Sequence, residues 1–293
     1  MEMRRAKGAS SVVAELSPKR KSNEMPPISR TSVVASGNKW IRQHGTYAPA
    51  TSLGVGLCTL TGIYCTARSS AHIPAGMWWP FISFLGYQTP ERYIYVLGFS
   101  FTAVGIVVSS LFADARLLSF VEPQFRRLAK TSYYAALVAA GGLVGQAVIP
   151  LQANILEVIS GKAPVVTQSI VHQSSAGVLF LAGYVHCITM NILLYKSQQI
   201  PTSSTSKNLK ILLTIGMFAP VWFAFVKHPT NNQQGAKSMS LDEMCWGAVG
   251  QWIAVVSLLG YFASYHLEFT HPNLRPQVAE EMTAPVEERS DGG

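Results

Sequence analysis

The chain has 293 residues, of which 48% are hydrophobic and 13% are charged, about half the share of charge in a typical soluble domain. Several stretches of roughly 20 residues, the length that crosses a membrane as a helix, carry no charge. This composition argues against a water-soluble domain. In a membrane protein, a net charge of +8 is expected to reflect orientation in the membrane.

Residues 1–46 form a polar and basic segment that includes the run Lys19–Lys21. The segment lacks the apolar stretch of a secretory signal peptide. We expect it to be a disordered cytosolic arm that is attracted to anionic lipids of the cytosolic leaflet. At the other end of the chain, residues 269–293 are acidic and are expected to form a disordered cytosolic tail.

Between these ends, six apolar segments predict an all-α fold, with six transmembrane helices in one bundle over residues 47–268. None of the six contains Asp, Glu, Lys or Arg. The fifth is short, and Pro220 is expected to kink it. The segments are Ala48–Thr66, Tyr93–Ala113, Tyr133–Ile155, Val171–Tyr195, Ile211–Val226 and Trp246–Leu267.

The orientation follows from the distribution of Lys and Arg. With both termini in the cytosol, 18 of the 23 basic residues fall on the cytosolic side, as the positive-inside rule requires. The net charge is then an orientation signal, and no nucleic-acid partner is expected.

The loop after the first segment is rich in aromatic residues. Trp78–Tyr95 has seven aromatic residues among eighteen, together with Pro80 and Pro90. Trp and Tyr concentrate at the boundary between membrane and water, so this stretch is expected to lie at the exoplasmic face. Glu91 then falls in the first turn of the second helix, where the helix dipole favours a negative charge.

The same stretch resembles the first-loop signature of the Frag/DRAM/Sfk family of membrane proteins. The matching residues there are Pro80, Ile82, Ser83, Gly86, Pro90 and Glu91. His172 and Gly177 resemble the opening of the family's fourth span, and Gln251–Trp252 stands where many members have Glu–Trp. The change to Gln251 argues against a role that needs a carboxylate there. The resemblance covers roughly residues 45 to 270.

The resemblance implies six spans with both ends cytosolic, in agreement with the charge count. It also implies a non-catalytic factor in lipid handling, and the sequence Pro90–Tyr95 favours the branch that supports remodelling or sorting of glycosylphosphatidylinositol (GPI) lipid anchors in the Golgi or endoplasmic reticulum. The partners implied are membrane lipids and, for this branch, GPI-anchored proteins or their lipids. The alternatives are an autophagy or phosphoinositide regulator at the lysosome or plasma membrane, and a small-solute transporter or channel.

The residues implied to form a lipid-binding or partner-binding surface at the exoplasmic face are Pro80, Ile82, Ser83, Gly86, Pro90, Glu91, His172, Gly177, Gln251 and Trp252. No spacing predicts a metal site, and no cofactor is expected.

Two histidines lie within the predicted spans, and ionisable residues there are often functional. His172 and His186 are 14 residues apart and share one helix face. They could line a headgroup site, or each could be neutral and hydrogen-bonded within the bundle.

By residue type alone, Ser83, His172 and Glu91 could also form a nucleophile, base and acid of a membrane hydrolase or acyltransferase. A Gly141-x-x-x-Gly145 stripe predicts a close helix contact, which is expected inside the monomer, with a dimer face as the alternative.

Overall fold

The structure is a computed structural model that describes residues 45–117, 120–152, 157, 162–197, 200, 202–227 and 240–270. The predicted arm up to residue 44 and the predicted tail from residue 271 lie outside the described residues.

The described residues are helical and contain no β-strand. A 3₁₀ turn at Gly45–Tyr47 leads into the first helix, and a second at Pro123–Phe125 precedes the fourth. The α-helices are α1 (Ala48–Ser69), α2 (Ile82–Leu85), α3 (Glu91–Arg116), α4 (Arg126–Val148), α5 (Thr167–Lys196), α6 (Ser204–Met217), α7 (Ala219–Lys227), α8 (Leu241–Ala263) and α9 (Tyr265–Phe269).

Three predicted segments differ from the helices, and one of them is the sixth, Trp246–Leu267, which is divided at Ser264 into α8 and α9. The third was expected to run from Tyr133 to Ile155, but α4 begins at Arg126 and ends at Val148. The early end is caused by Pro150, because a proline disfavours helical backbone in the residue before it, and Ile149 is indeed extended. The fifth segment is divided into α6 and α7 at Phe218, so the kink expected near Pro220 is confirmed.

Four helical stretches are long and apolar enough to cross a membrane: Gly45–Ser69, Glu91–Ala115, Thr167–Lys196 and Leu241–Phe269. They correspond to the first, second, fourth and sixth predicted segments. The third and fifth segments do not meet both conditions: the uncharged part of α4, from Thr131 to Val148, contains Gly, Ser, Thr and Tyr residues together with Gln146, which lower its mean hydropathy, and the fifth segment is two short helices. The chain is therefore a polytopic helical membrane protein.

The helices pack in chain order into a closed ring. Helix α1 contacts α3, α3 contacts α4, and α4 has its most extensive contact with α5; α5 then contacts α6, and α8 contacts α6, α7 and α1. Large apolar side chains point away from the ring: Leu97, Phe101 and Leu181 each expose more than half of their surface. An apolar outer surface of this kind is expected in lipid.

Helices α4 and α5 approach each other at a glycine. A Cβ atom on Gly142 would lie 2.6 Å from the backbone nitrogen of Leu179, and one on Gly145 would lie 2.8 Å from Ser175 Oγ. A Cβ on Gly141 would meet nothing within 4 Å. The predicted glycine contact thus lies inside the monomer, but Gly142 and Gly145 form it.

Candidate functional site

The segment between α1 and α3, residues 70–90, covers one end of the ring, which we call the loop end. Three hydrogen bonds fasten it to α8: Trp78 Nε1 donates to Asp242 Oδ1 at 3.3 Å, and two more lie on either side of Phe81. The Ile82 backbone N–H donates to Gln251 Oε1 at 2.9 Å, and Trp252 Nε1 donates to the Pro80 carbonyl at 2.9 Å. Gln251 and Trp252 therefore position the backbone on both sides of Phe81, and a carboxylate is not needed for the first bond because an amide oxygen accepts it equally well.

His172, near the start of α5, joins this segment to the end of α4. Its Nδ1 lies 2.6 Å from the Ile149 carbonyl oxygen. Because a carbonyl can only accept, Nδ1 carries the proton and Nε2 is left as an acceptor. The hydroxyl of Ser83 lies 3.1 Å from Nε2 and donates to it. His172 is 3% exposed, whereas Ser83 is partly exposed, so the buried imidazole contacts a hydroxyl at the edge of the protein interior.

Glu91, the first residue of α3, is fully buried. Its Oε1 lies 3.0 Å from His72 Nδ1, and the His72 side chain is partly exposed. Its Oε2 has no hydrogen-bond partner among the described residues. A buried carboxylate oxygen without a donor is costly, so Oε2 is an acceptor position left open among the described residues.

Gly86 allows the loop segment to lie directly on α3. A Cβ atom at this position would be 2.3 Å from the ring of Tyr95, so any side chain would force the two apart. Arg92 fixes the same corner, since its guanidinium donates to the carbonyls of Gly86 and Val148. The helices α3 and α4 are thereby linked across the loop segment.

Aromatic rings form a layer next to these polar groups. Trp79 lies 5.2 Å from Tyr64 and 5.3 Å from Trp252, centroid to centroid. Trp78 lies 5.4 Å from Trp246. Side chains of this type combine a large apolar surface with a polar edge, which suits the boundary between lipid and water.

A small cavity of about 20 Å³ lies beneath the loop segment, enough for one water molecule. Its polar lining comes from Ser83, Tyr95, Gln146 and Gln251, and the rest of its lining is apolar. The Tyr95 hydroxyl is buried and has no hydrogen-bond partner of good geometry among the described residues.

Most of the residues named from the sequence as an exoplasmic surface therefore meet at the loop end. Pro80, Ile82, Ser83, Gly86, Glu91, His172, Gln251 and Trp252 take part in the contacts above, and Pro90 is exposed and directly precedes Glu91. Gly177 is exposed on α5 and has nothing near its Cβ position within 4 Å. The sequence did not point to Tyr95 or Ile149, nor to the pairing of His72 with Glu91, because these roles depend on contacts across the fold.

The nucleophile, base and acid considered from the sequence are only partly assembled. Ser83 and His172 are in contact, but Glu91 pairs with His72. The Ile149 carbonyl occupies the position next to His172 that the carboxylate would have taken. No group of three or more potential metal ligands occurs in the described part of the chain.

A second polar cluster lies at the end of the ring opposite to the loop end, and the sequence prediction missed it. Lys210 on α6 and Glu268 on α9 are both fully buried, with Nζ 3.2 Å from Oε2. Thr202 and Ser206 donate hydrogen bonds to Glu268 Oε1. Neither charge was expected to be buried, because Lys210 directly precedes the fifth predicted segment and Glu268 directly follows the sixth.

His186 belongs to the same end of the ring. Its Nδ1 donates to the Ser132 carbonyl at 2.8 Å, and its Nε2 accepts from the Tyr265 hydroxyl at 3.0 Å. The ring stacks on Phe262 at 4.9 Å. Both ring nitrogens are thus used inside the bundle, which is the arrangement expected of a neutral histidine with a packing role.

Comparison with known families gives one match. The family model described as the Frag1/DRAM/Sfk1/Cwh43P N-terminal domain matches residues 44–271, nearly the range over which the resemblance had been noted. The chain belongs to this family, and the predicted membership is confirmed. Comparisons with curated proteins and with solved structures gave no match.

Proposed function

We propose that this member of the Frag1/DRAM/Sfk1/Cwh43P family is a six-span lipid-handling factor of the secretory pathway that supports remodelling or sorting of GPI lipid anchors. In this proposal both termini are cytosolic, the loop end faces the lumen of the Golgi or endoplasmic reticulum, and the site at the loop end binds a lipid headgroup. Family membership, with the four apolar helices, supports the membrane role.

The observation that carries the proposal is the buried carboxylate of Glu91. One of its oxygens is paired with His72 and the other has no partner among the described residues. A ligand that brings an amine or hydroxyl donor would supply the missing hydrogen bond, and hydrogen bonds to a charged group contribute about 1.5–3 kcal/mol each. Amines and hydroxyls are the donors of ethanolamine, sugar and inositol headgroups, which is the chemistry of a GPI anchor.

The layer of aromatic rings supports the same ligand class. Trp78, Trp79 and Trp252 lie in or against the loop segment. Such rings offer flat apolar faces to the weakly polar face of a sugar and attract ammonium groups. A headgroup bound there would remain next to its own acyl chains in the membrane.

The test uses cells that lack the protein and carry a GPI-anchored reporter, with the reporter at the cell surface measured by flow cytometry. The wild-type chain should restore the reporter, whereas Glu91→Gln, which removes the charge but keeps the size, should lower it by about tenfold, as expected for the loss of roughly 1.4 kcal/mol. Thr131→Ala on α4, which removes an exposed hydroxyl bonded only within its helix, is the matched control. Full rescue by Glu91→Gln at wild-type abundance would contradict the proposal.

Deletion of residues 1–44 separates this proposal from a regulator that recruits cytosolic partners. The shortened chain should still restore the reporter, because the proposed site lies entirely at the loop end. Protease added to sealed microsomes should remove the same segment from the full-length chain. Protection of residues 1–44 would contradict the proposed orientation.

A further inference from the structure

We propose that Ser83 and His172 form a nucleophile–base pair that accepts an acyl group from a lipid ester. This inference goes beyond headgroup binding and beyond the non-catalytic role expected from the sequence. It rests on the geometry beneath the loop segment and does not require the ligand to be a GPI lipid.

The hydrogen bonds from Ile149 through His172 to Ser83 leave an imidazole nitrogen free to accept the proton of the Ser83 hydroxyl. The Ile149 carbonyl accepts the proton of His172 Nδ1 at 2.6 Å, which holds the imidazole in one tautomer. The lone pair of Nε2 is then directed at the Ser83 hydroxyl, 3.1 Å away. An activated nucleophile requires a base within this distance and a third group that orients the base.

The third group is available because α4 ends early. Pro150 stops the helix after Val148, and the carbonyls at a helix C-terminus have no partner within the helix. Ile149 can therefore offer its carbonyl oxygen to His172. A carbonyl orients the ring as a carboxylate would, although it stabilises the protonated ring less because it carries only a partial charge.

The cavity beneath Ser83 has the size and lining of an oxyanion site. Its volume of about 20 Å³ accommodates one oxygen-sized group. Gln251 uses its oxygen to accept from Ile82, so its amide nitrogen is the group that remains to donate. Gln146 and the hydroxyl of Tyr95, which lies close to Ser83, add two more potential donors. Donors fixed before the reaction stabilise the negative charge of a tetrahedral intermediate.

The substrate class follows from the surroundings. The remaining walls of the cavity are apolar side chains, among them Phe99, Leu143 and Leu179, and the helices that carry them are surrounded by an apolar outer surface. Only the ester carbonyl oxygen would fit into this cavity, so the acyl chain would remain outside it, in the lipid against the apolar outer surface, where a charged peptide or nucleotide would be disfavoured. The ester of a membrane lipid is therefore the acyl donor that fits.

The reaction balances without a cofactor. Ser83 Oγ attacks the ester carbonyl carbon while its proton moves to His172 Nε2, and the negative charge develops on the carbonyl oxygen. The intermediate collapses by breaking the bond between the acyl carbon and the alcohol oxygen. The alcohol leaves with the proton from Nε2, and the acyl group remains on Ser83. A second hydroxyl compound, either water or another lipid, reverses these steps and regenerates Ser83.

A purely structural role for the pair would be to fasten the loop segment to α5. Fastening requires only the hydrogen bond, whereas catalysis requires an unusually nucleophilic Ser83. Chemical reactivity therefore distinguishes the two roles even where stability does not.

The test treats the purified full-length protein in lipid nanodiscs with a fluorophosphonate, which reacts covalently with activated serines. Peptide mass mapping should place the adduct on Ser83, and heat-denatured protein should not be labelled. His172→Gln should slow labelling by about 10²–10⁴-fold, the range attributed to a positioned general base. Ser110→Ala is the control, since Ser110 is a buried serine bonded within α3, and this variant should be labelled at the wild-type rate.

A second measurement does not depend on any variant. Wild-type protein mixed with p-nitrophenyl butyrate should release a burst of one p-nitrophenol per protein and should carry a butyryl group on Ser83. Absence of both the adduct and the burst in folded wild-type protein would overturn the inference. Labelling of folded His172→Gln at the wild-type rate would overturn it as well. Neither outcome bears on headgroup binding, which the GPI reporter measures separately.

Discussion

Lys210 and Glu268 form a buried ion pair whose removal, one partner at a time, should strongly destabilise the bundle. Both side chains are fully buried, so a charge left alone would remain in an apolar environment. Breaking such a pair costs about 3–5 kcal/mol, whereas replacing both partners with apolar residues is often neutral. The test compares Lys210→Met, Glu268→Leu and the double variant.

Each charge would keep some polar or aromatic neighbours after its partner is removed, but no opposite charge among the described residues. Without Lys210, Glu268 still accepts from the hydroxyls of Thr202 and Ser206. Without Glu268, Lys210 keeps the Ser264 hydroxyl and the face of the Tyr265 ring, 4.3 Å from Nζ. Each single variant should therefore lose about 3–5 kcal/mol of unfolding free energy, and the double variant should recover to within about 1 kcal/mol of wild type.

The free energy of unfolding can be measured by titrating the protein in mixed micelles with SDS and following helicity by circular dichroism. The Ser110→Ala variant again serves as a control for a buried polar deletion. A double variant that is as unstable as the worse single variant would refute the reasoning, because the two residues would then contribute through packing rather than through their opposite charges.

Substitutions at three further contacts seen in the structure can be tested by the same unfolding measurement. Gly142→Ala should lower the free energy of unfolding by about 1–3 kcal/mol, because its Cβ would meet backbone atoms of α5. Gly141 faces open space, so Gly141→Ala should be neutral or stabilising by up to about 1 kcal/mol. Equal effects of the two variants would contradict the packing of α4 on α5. Gly86→Ala should also cost about 1–3 kcal/mol by displacing the ring of Tyr95, and unchanged stability would show that the loop segment does not lie on α3. Gln251→Leu leaves the backbone N–H of Ile82 without its acceptor and should lower the free energy of unfolding by about 1–3 kcal/mol. Gln251→Glu keeps an acceptor and should stay near the wild-type stability. A larger loss for Gln251→Glu than for Gln251→Leu would contradict this role of Gln251.

The sequence was informative about features that depend on neighbouring residues. The apolar segments located the long helices, and the proline at position 220 located the break in the fifth segment. Glu91 was placed correctly in the first turn of α3. Each of these conclusions follows from a local rule on hydrophobic length, proline geometry or the helix dipole.

Contacts between distant residues were beyond this kind of reasoning. Lys210 was counted among the charges that orient the protein, because a lysine beside an apolar segment usually lies in the headgroup layer. Its burial depends on a partner 58 residues further along the chain, and on the short helix α9, which returns Glu268 to α6. The pairing of His72 with Glu91 was missed for the same reason, since nothing near either residue indicates the other.

The two ends of the bundle differ in how completely their polar atoms are paired, and this difference supports assigning function to the loop end. The cluster around Lys210 and Glu268 has charge opposite charge and hydroxyl donors on the carboxylate, which is the pattern of a network that rigidifies a fold. At the loop end, Glu91 Oε2 and the Tyr95 hydroxyl are buried without partners among the described residues. An unpaired buried polar group lowers stability, and such a cost is most readily explained where a ligand or a reacting group supplies the missing partner. Both proposals therefore concern the loop end, and the ion pair is expected to contribute to stability alone.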